Sequence, residues 1–162
     1  MPENRLRKTA LLLTALILAT SPALAGDLKP RKIGPKDKCP VCGMFVAKYP
    51  DFAAQVQFRD GSVLHFDGAK DLFKYYLDLP RFAPGRKAAD ISAILVTDYY
   101  DLGMVDAFAA YFVVGSNVYG PMGRELIPFG GQSKARDFLA DHKGKSIARF
   151  HEITPALLRQ LD

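Results

Sequence analysis

Short extended runs and turn residues in the first half of the chain predict a β-hairpin followed by a helix. Apolar and polar residues alternate over residues 53–58, an Asp-Gly pair at residues 60–61 supplies a tight turn, and residues 63–66 resume the extended pattern. Over residues 69–79 the apolar positions instead fall on one helical face, and Pro80 is expected to end that helix. The pattern therefore indicates a ββα unit.

The second half of the chain repeats this order of elements. Apolar β-type runs at residues 91–96, 107–114 and 126–129 are followed by a helix at 133–142 and a closing strand at 147–153. A Phe-Asp-Gly triplet at residues 66–68 precedes the first helix, and a Phe-Gly-Gly triplet at residues 129–131 precedes the second. Each unit is too small to bury a core alone. The expected fold is therefore α+β and mainly antiparallel, with two related ββα-type halves, residues 39–90 and 91–162, packed together.

The first 25 residues are predicted to be a signal peptide rather than part of the fold. Cations precede an uncharged apolar run at residues 10–19, and an Ala-Leu-Ala cleavage site at residues 23–25 precedes Gly26. Ten residues are too few to cross a bilayer, which takes about 20 helical residues, although retention as an anchor is the alternative. Because Gly26 is not a cysteine, no lipid anchor is expected. The protein is predicted to be exported to the periplasm.

Positive charge is concentrated outside the predicted folded body. The chain has 22 Lys and Arg against 17 Asp and Glu, a formal net charge of +5. From residue 39 to residue 162 the two kinds balance at 14 each. The excess lies in the signal peptide and in residues 26–38, a basic arm with Pro and Gly that is expected to be an extended linker. Since the body lacks clustered cations, nucleic acid is not an expected partner.

The candidate chemistry is concentrated in the segment Cys-Pro-Val-Cys-Gly-Met at residues 39–44. Cys42 and Met44 are soft ligands, and Gly43 permits a sharp turn that lets them face one ion. Cys39 adds a second thiol, as a secondary ligand or as a disulfide partner. Thiolate together with thioether favours Cu(I) over hard cations. Two cysteines are too few for a disulfide-dense scaffold or a four-Cys zinc site.

Three other uses of the cysteine pair stay open. One is a disulfide between Cys39 and Cys42, a common state of Cys-x-x-Cys pairs in oxidising compartments. A dithiol redox motif needs a preceding strand and a following helix start that lower the thiol pKa, whereas a Pro/Gly-rich arm precedes this motif. A zinc site needs two further ligands, from His65, His142 and His151 or the carboxylates, at spacings that match no common zinc finger.

A second soft ligand lies far along the chain, in the segment Tyr-Gly-Pro-Met-Gly at residues 119–123. No apolar periodicity requires Met122 there, whereas Met104 is expected to fill the core. If the two halves pack face to face, the Met122 loop reaches the Cys42 loop and completes a three-coordinate Cys/Met/Met site. His65 is a weaker candidate ligand.

Five segments, in chain order, resemble the signatures of the NosL family. They are Cys42-Gly43-Met44, residues 96–99, residues 106–116, Pro121-Met122-Gly123 and residues 149–153. The resemblance covers about residues 39–153. It implies an exported copper chaperone that delivers Cu(I) to nitrous-oxide reductase and is built from two small ββα-type halves. It also puts the metal on Cys42, Met44 and Met122.

The chain differs from the family pattern in two respects. Many members begin their mature chain with a lipidated cysteine, which is absent here, and many have a single cysteine at the motif, whereas both Cys39 and Cys42 are present here. Residues 39–46 also resemble the start of the small YHS/TRASH-like metal-binding modules. Residues 65–73, the corresponding later segment, lack the further cysteines of those modules.

The sequence therefore predicts a Cu(I)-binding metallochaperone rather than an enzyme. It has no Gly-rich phosphate loop, serine nucleophile elbow or His-Glu-x-x-His helix, and Asp98, Asp101 and Asp106 are interpreted as solvated loop carboxylates. The expected partner is a copper-accepting enzyme such as nitrous-oxide reductase, and a homodimer stays open. The alternatives are a periplasmic thiol oxidoreductase that uses Cys39 and Cys42, and a structural-disulfide protein that binds a partner.

Overall fold

A computed structural model describes residues 28–162 and places their strands in two antiparallel sheets. The predicted signal peptide lies outside the described residues. The strands are β1 (Ala54–Phe58), β2 (Val63–Phe66), β3 (Ile91–Thr97), β4 (Met104–Asp106), β5 (Tyr111–Gly120), β6 (Gly123–Phe129) and β7 (Ser146–Arg149). The helices are α1 (Ala69–Leu77), α2 (Leu79–Phe82), α3 (Gln132–Asp141) and α4 (Pro155–Arg159). The predicted α+β class with mainly antiparallel strands is confirmed.

The first sheet has the strand order β2-β1-β3-β4 and contains the predicted hairpin. Val56 of β1 lies opposite Leu64 of β2 and Ile94 of β3. Both faces of this sheet are covered, so every residue of β1 is buried. The polar residues that alternate along β1 therefore do not face water. The apolar face packs on α1, where the Phe66 and Tyr75 rings meet with centroids 5.2 Å apart.

The opposite face of the first sheet binds the described part of the basic arm, residues 28–38. The Gln55 side chain donates to the Arg31 carbonyl at 2.5 Å and accepts from the Arg31 N–H at 3.0 Å. The Gln57 side chain donates to the Lys29 carbonyl at 2.8 Å. Buried amides need such partners, because an unpaired amide in the interior is destabilising. Over these residues the expected linker is therefore bound to the body.

The second sheet has the strand order β6-β5-β7 and packs on a helix at each face. One face meets α3 through a cluster that includes Val113, Ile127 and Phe138. The other face meets α1, where the Phe112 and Phe73 rings lie 5.1 Å apart in an edge-on arrangement. Helix α1 thus lies between the two sheets and joins their cores. The contact of α1 with the second sheet confirms the prediction that the two halves pack together.

The repeated order of strand, glycine and helix is visible in the structure. Phe66 ends β2 and Gly68 precedes α1, while Phe129 ends β6 and Gly131 precedes α3. The second unit is not simply residues 91–162, because β3 and β4 pair with β1 in the first sheet. Strand pairing depends on contacts between residues distant in sequence, so a division of the chain at residue 90 does not separate the two sheets.

Several elements differ from the predicted ones; the strand expected at residues 107–114, for example, begins at Tyr111 and runs to Gly120. Pro80 does not end a helix at residue 79; α1 ends at Leu77, and Pro80 lies in the first turn of α2, where a missing N–H leaves no bond unmade. The predicted strand at residues 147–153 ends at Arg149, and Phe150–Glu152 forms a 3₁₀ turn. Strand β4 lies in a segment for which no strand was predicted.

None of the helices within residues 28–162 has the length and hydropathy of a membrane-spanning segment.

Candidate metal centre

The Cys-Pro-Val-Cys-Gly-Met segment forms a closed turn in front of the first sheet. The Cys39 N–H donates to the Met44 carbonyl at 2.9 Å, and the Gly43 N–H donates to the Cys39 carbonyl at 2.9 Å. Gly43 has φ +79°, a left-handed conformation that favours glycine and reverses the chain. Two backbone bonds therefore hold both cysteines and Met44 in one small loop.

Two aspartates at the start of α1 face the sulfur atoms of this loop. Cys42 Sγ lies 3.3 Å from both carboxylate oxygens of Asp67. Cys39 Sγ lies 3.4 Å from Asp71 Oδ2. One donor atom from each of the four residues lies within 4.8 Å of the other three. Within residues 28–162 this is the one group of three or more His, Cys, Asp or Glu residues close enough to hold one metal ion.

The carboxylates occupy these positions because of where α1 begins. Asp67 lies two residues before the first residue of α1, and Asp71 lies in the first turn of α1. Both are at the N-terminal end of the helix, where the backbone dipole favours negative charge. Hence the start of α1 places two acids beside the cysteine loop, while the apolar residues of the helix enter the core.

Burial suppresses ionisation of both thiols. Cys39 is 1% exposed, and burial raises the pKa of its thiol far above the ordinary range. Burial raises the pKa of the half-buried Cys42 thiol to about 11, and the neighbouring carboxylates add to the effect. Neither thiol is in a disulfide. At neutral pH both are protonated donors to the carboxylates, and a cation that displaces these protons gains two sulfur and two oxygen donors.

Met122 lies at the tip of the long β5–β6 hairpin. Gly120 pairs with Gly123, which leaves Pro121 and Met122 as a two-residue turn, and Gly123 has φ +85°. Met122 is 44% exposed. Its carbonyl accepts a hydrogen bond from Lys70 Nζ at 2.9 Å, so the tip lies against the first turn of α1, which also carries Asp71.

His65 lies outside the four-residue cluster. It points to the face of the first sheet that binds the arm, opposite to Phe66, because neighbouring strand residues alternate. Its Nδ1 lies 2.9 Å from Asp37 Oδ2, and burial lowers its pKa. Its Nε2 is buried without a hydrogen-bond partner among the described residues. The structure thus brings Cys39 and Cys42 together but does not add His65 to them.

The sequence analysis did not identify Asp67 and Asp71. Their spacing around a helix start was the available signal, but they lie 25 and 32 positions from their cysteine partners. The acids that the sequence did single out have other contacts. Asp98 is buried rather than solvated and accepts from the Tyr100, Asp101 and Gly130 N–H groups.

A buried carboxylate also links α1 to the hairpin. Glu125 Oε1 accepts from the Lys70 N–H at 2.6 Å and from the Leu126 N–H at 2.9 Å. A side chain at position 68 would collide with Glu125 Oε2, so this approach requires Gly68. Burial raises the pKa of Glu125 to about 7.

Glu125 makes folding less favourable as pH rises from about 4.5 to 7. In this interval the unfolded chain loses the Glu125 proton and the folded chain keeps it, so the free energy of unfolding falls. Glu125→Gln is expected to remove a pH-dependent contribution of about 3 kcal/mol, at 1.36 kcal/mol per pKa unit. Urea unfolding of both proteins at pH 4.5 and pH 8 measures it. Glu152→Gln, at an exposed glutamate, should keep the wild-type profile, and an unchanged profile in Glu125→Gln would contradict the prediction.

Comparison with known proteins gives the same family from sequence and from structure. The family model NosL matches residues 30–158. The copper-binding lipoprotein NosL of Stutzerimonas stutzeri is 28% identical over 145 residues, which are 83% of this chain and 70% of the relative. The crystal structure of the copper chaperone NosL from Shewanella denitrificans has a TM-score of 0.67 and 28% identity, covering 80% of this chain and 98% of that chain. The solution structure of apo-NosL from Achromobacter cycloclastes is 27% identical, with a TM-score of 0.45, over 65% of this chain and 87% of that one. The predicted resemblance is confirmed, and the chain belongs to the NosL family.

Proposed function

We propose that this protein is an exported Cu(I) metallochaperone that passes copper to a periplasmic copper enzyme, with nitrous-oxide reductase as the acceptor. The convergence of the Cys39 and Cys42 thiols with two carboxylates in one cluster is the observation that carries the proposal. Relatives named as a copper-binding lipoprotein and a copper chaperone support it. Neither name is that of an enzyme.

In this proposal Cys42, Met44 and Met122 are the main ligands of Cu(I), and Cys39 is a secondary one. Thiolate and thioether sulfur prefer Cu(I) to the hard cations that carboxylates alone would select. Met44 belongs to the same closed turn as Cys42. Met122 is on a tip tied to the helix that carries Asp71. The loop and the hairpin thus approach α1 from separate parts of the chain.

Asp67 and Asp71 take part as proton acceptors and as negative charges beside the ion. Their oxygens already accept hydrogen bonds from the Cys42 and Cys39 thiols. A thiol that loses its proton on metal binding therefore has a carboxylate beside it as the first proton acceptor. Carboxylates next to metal ligands orient them and raise their affinity. The pair therefore supports the sulfur ligands without replacing them.

Release to the acceptor follows from partial exposure of the proposed ligands. Cys42 is half-buried and Met122 is 44% exposed, whereas Cys39 is enclosed. An incoming ligand of the acceptor can attach to Cu(I) from the open side before Met122 leaves. Stepwise exchange of ligands avoids free Cu(I), so a tight site can still deliver its ion.

Export is proposed to use the N-terminal 25 residues as a signal peptide, without lipid attachment. The Stutzerimonas relative is named a lipoprotein. This chain has Gly26 after its expected cleavage site, where lipid attachment requires a cysteine. The mature protein is therefore proposed to reside in the periplasm without attachment to the membrane.

The alternative, a thiol oxidoreductase that uses Cys39 and Cys42, is not favoured. An attacking thiol needs a lowered pKa, whereas burial and two carboxylates raise the pKa of both thiols. The motif is also followed by a three-residue 3₁₀ turn, Val46–Lys48, instead of a full helix N-terminus. These features keep the thiols protonated, which slows disulfide exchange, whereas an arriving Cu(I) can displace the thiol proton as it binds.

Met122→Ala is expected to weaken Cu(I) binding by at least about tenfold, because losing a ligand should cost no less than losing an outer partner of one. Anaerobic competition of the reduced protein with bicinchoninate measures the affinity. Met104→Ala is the matched control. Met104 is a half-buried methionine on β4, where it pairs with Thr97 of β3 in the first sheet, and it is not a proposed ligand.

Equal affinities of Met122→Ala and Met104→Ala would contradict the proposed ligand set. The acceptor is tested with the same protein by mixing its Cu(I)-loaded form with apo nitrous-oxide reductase. No rise in the copper content of the reductase would contradict that assignment while leaving the copper site intact.

A further inference from the structure

A buried lysine joins the hairpin tip to the helix of the acidic pair. Lys70 is 2% exposed. Its Nζ lies 2.9 Å from the Met122 carbonyl, 3.4 Å from the Leu161 carbonyl and 3.5 Å from Asp162 Oδ1. Lys70 directly precedes Asp71 on α1, so its side chain connects the proposed thioether ligand to the turn that faces Cys39.

A second contact runs in the opposite direction. Glu125, three residues beyond Met122, accepts the Lys70 N–H at 2.6 Å. We call these two contacts, Lys70 Nζ to the Met122 carbonyl and Glu125 Oε1 to the Lys70 N–H, the hairpin–helix link. Because each side supplies one side chain and one backbone group, the tip cannot slide along α1 without breaking both bonds.

Packing alone does not account for a lysine at this position. A buried ammonium loses its hydration, and lysine is among the residues least often enclosed. The carbonyl that it binds belongs to Met122, a residue that is itself 44% exposed. A methionine side chain has three rotatable bonds, so its sulfur is placed only if its backbone is held. The hairpin–helix link holds that backbone.

We infer that Lys70 is a positioning residue that holds Met122 over the Cys/Asp cluster, an inference that rests on the proposed function. Lys70 does not touch the ion in this account. It acts through the Met122 backbone and thereby sets the distance between a thioether on the second sheet and the thiols beside the first.

Lys70→Met is expected to lower the Cu(I) affinity by about 10- to 100-fold, as is typical for the loss of an outer partner of a metal ligand. The same substitution made in Met122→Ala should cause no further loss, because no ligand is left to position. Lys74→Met is the matched control. Lys74 lies one turn further along α1, and its Nζ lies 2.5 Å from Asp162 Oδ1. Among the described residues, it makes no hydrogen bond to the hairpin tip. Anaerobic bicinchoninate competition measures all four proteins.

A purely structural role of Lys70 would give a different pattern. Losses that add in the double variant, or an unchanged affinity in Lys70→Met, would overturn the inference. Lys70→Gln, which stays polar but is shorter, should lose affinity to the same extent and replaces Lys70→Met if the latter does not fold. If Met122→Ala itself binds Cu(I) as the wild type does, the proposed ligand set fails instead, and the two failures are thus distinguishable.

The methyl signal of Met122 gives a readout that does not depend on copper. In the metal-free protein with ¹³C-methyl methionine, Lys70→Met is expected to shift and narrow the Met122 signal, because the tip gains freedom, and Lys74→Met is expected to leave it in place. A Met122 signal that is the same in the wild type and in both Lys70 variants would overturn the positioning role.

Discussion

Cys42→Ser is expected to lower the Cu(I) affinity of the reduced protein by about 1,000-fold or more, equivalent to about 4 kcal/mol. The substitution keeps the shape of the side chain but removes the thiolate, which is the strongest Cu(I) donor of the proposed set. Cys39 does not compensate, since it is 1% exposed and burial holds its thiol in the protonated form. Anaerobic competition with bicinchoninate at constant pH measures the change.

The control is Cys39→Ser, which is expected to cause a much smaller loss. Cys39 and Cys42 have the same chemistry and each lies beside one carboxylate. They differ in exposure, and only Cys42 is open to an arriving ion. If Cys39→Ser lost as much affinity as Cys42→Ser, both thiols would be primary ligands. If neither lost affinity, the metal centre would lie elsewhere.

The Cu(I) affinity is expected to rise about tenfold for each pH unit between pH 6 and pH 9, or about 1,000-fold in total. Burial raises the pKa of the Cys42 thiol to about 11, so the thiol is protonated throughout this range in the metal-free protein. Binding therefore releases one proton from Cys42, and a higher pH makes that release easier. The apparent dissociation constant, corrected for the titration of the competing chelator, measures the slope.

A slope of one proton distinguishes Cys42 from the pair. Cys39→Ser should keep the slope, because Cys42 supplies the only thiolate among the main ligands of the proposed complex. A slope near two in the wild type that falls to one in Cys39→Ser would instead show that both thiols ionise on binding. A flat profile would contradict thiolate coordination altogether.

The local elements of this fold could be predicted because short-range patterns determine them. The β1–β2 hairpin follows from alternation on both sides of an Asp-Gly turn, and Gly61 has the positive φ, +85°, that such a turn requires. The two Phe-x-Gly triplets marked the starts of α1 and α3 correctly. In each case, residues close in sequence contain the full physical cause.

The elements that were not predicted depend on specific contacts, most of them with partners distant in sequence. The strand expected to run to residue 153 ends at Arg149 because Glu152 accepts the Arg149 N–H at 2.7 Å, which turns the chain. Phe150 then packs against the rings of Phe73 and Phe108. Strand β4 pairs with β3, and the arm binds the amides of β1. Except for Glu152, none of these partners lies in the segment that it affects.

The candidate site shows the same division. The soft donors proposed for it, Cys39, Cys42, Met44 and Met122, follow from residue type and motif. Asp67 and Asp71 were not, because carboxylates are common near helix starts and nothing local indicates that a cysteine loop will cover them. The opposite held for His65, whose chemistry suggested a ligand but whose place in β2 directs it to Asp37.

The sequence by itself determined the α+β class, the NosL family and the soft chemistry of the Cys-Pro-Val-Cys-Gly-Met segment, because residue type and short-range periodicity are sufficient for these. Only the tertiary structure decided which groups meet: the thiols with the acids of α1, and the Met122 tip with Lys70. The reason is physical, since α1 lies between the two sheets. Its start, with Asp67 just before it and Lys70 and Asp71 in its first turn, lies where residues 39–44, the hairpin tip and the C-terminal residues meet.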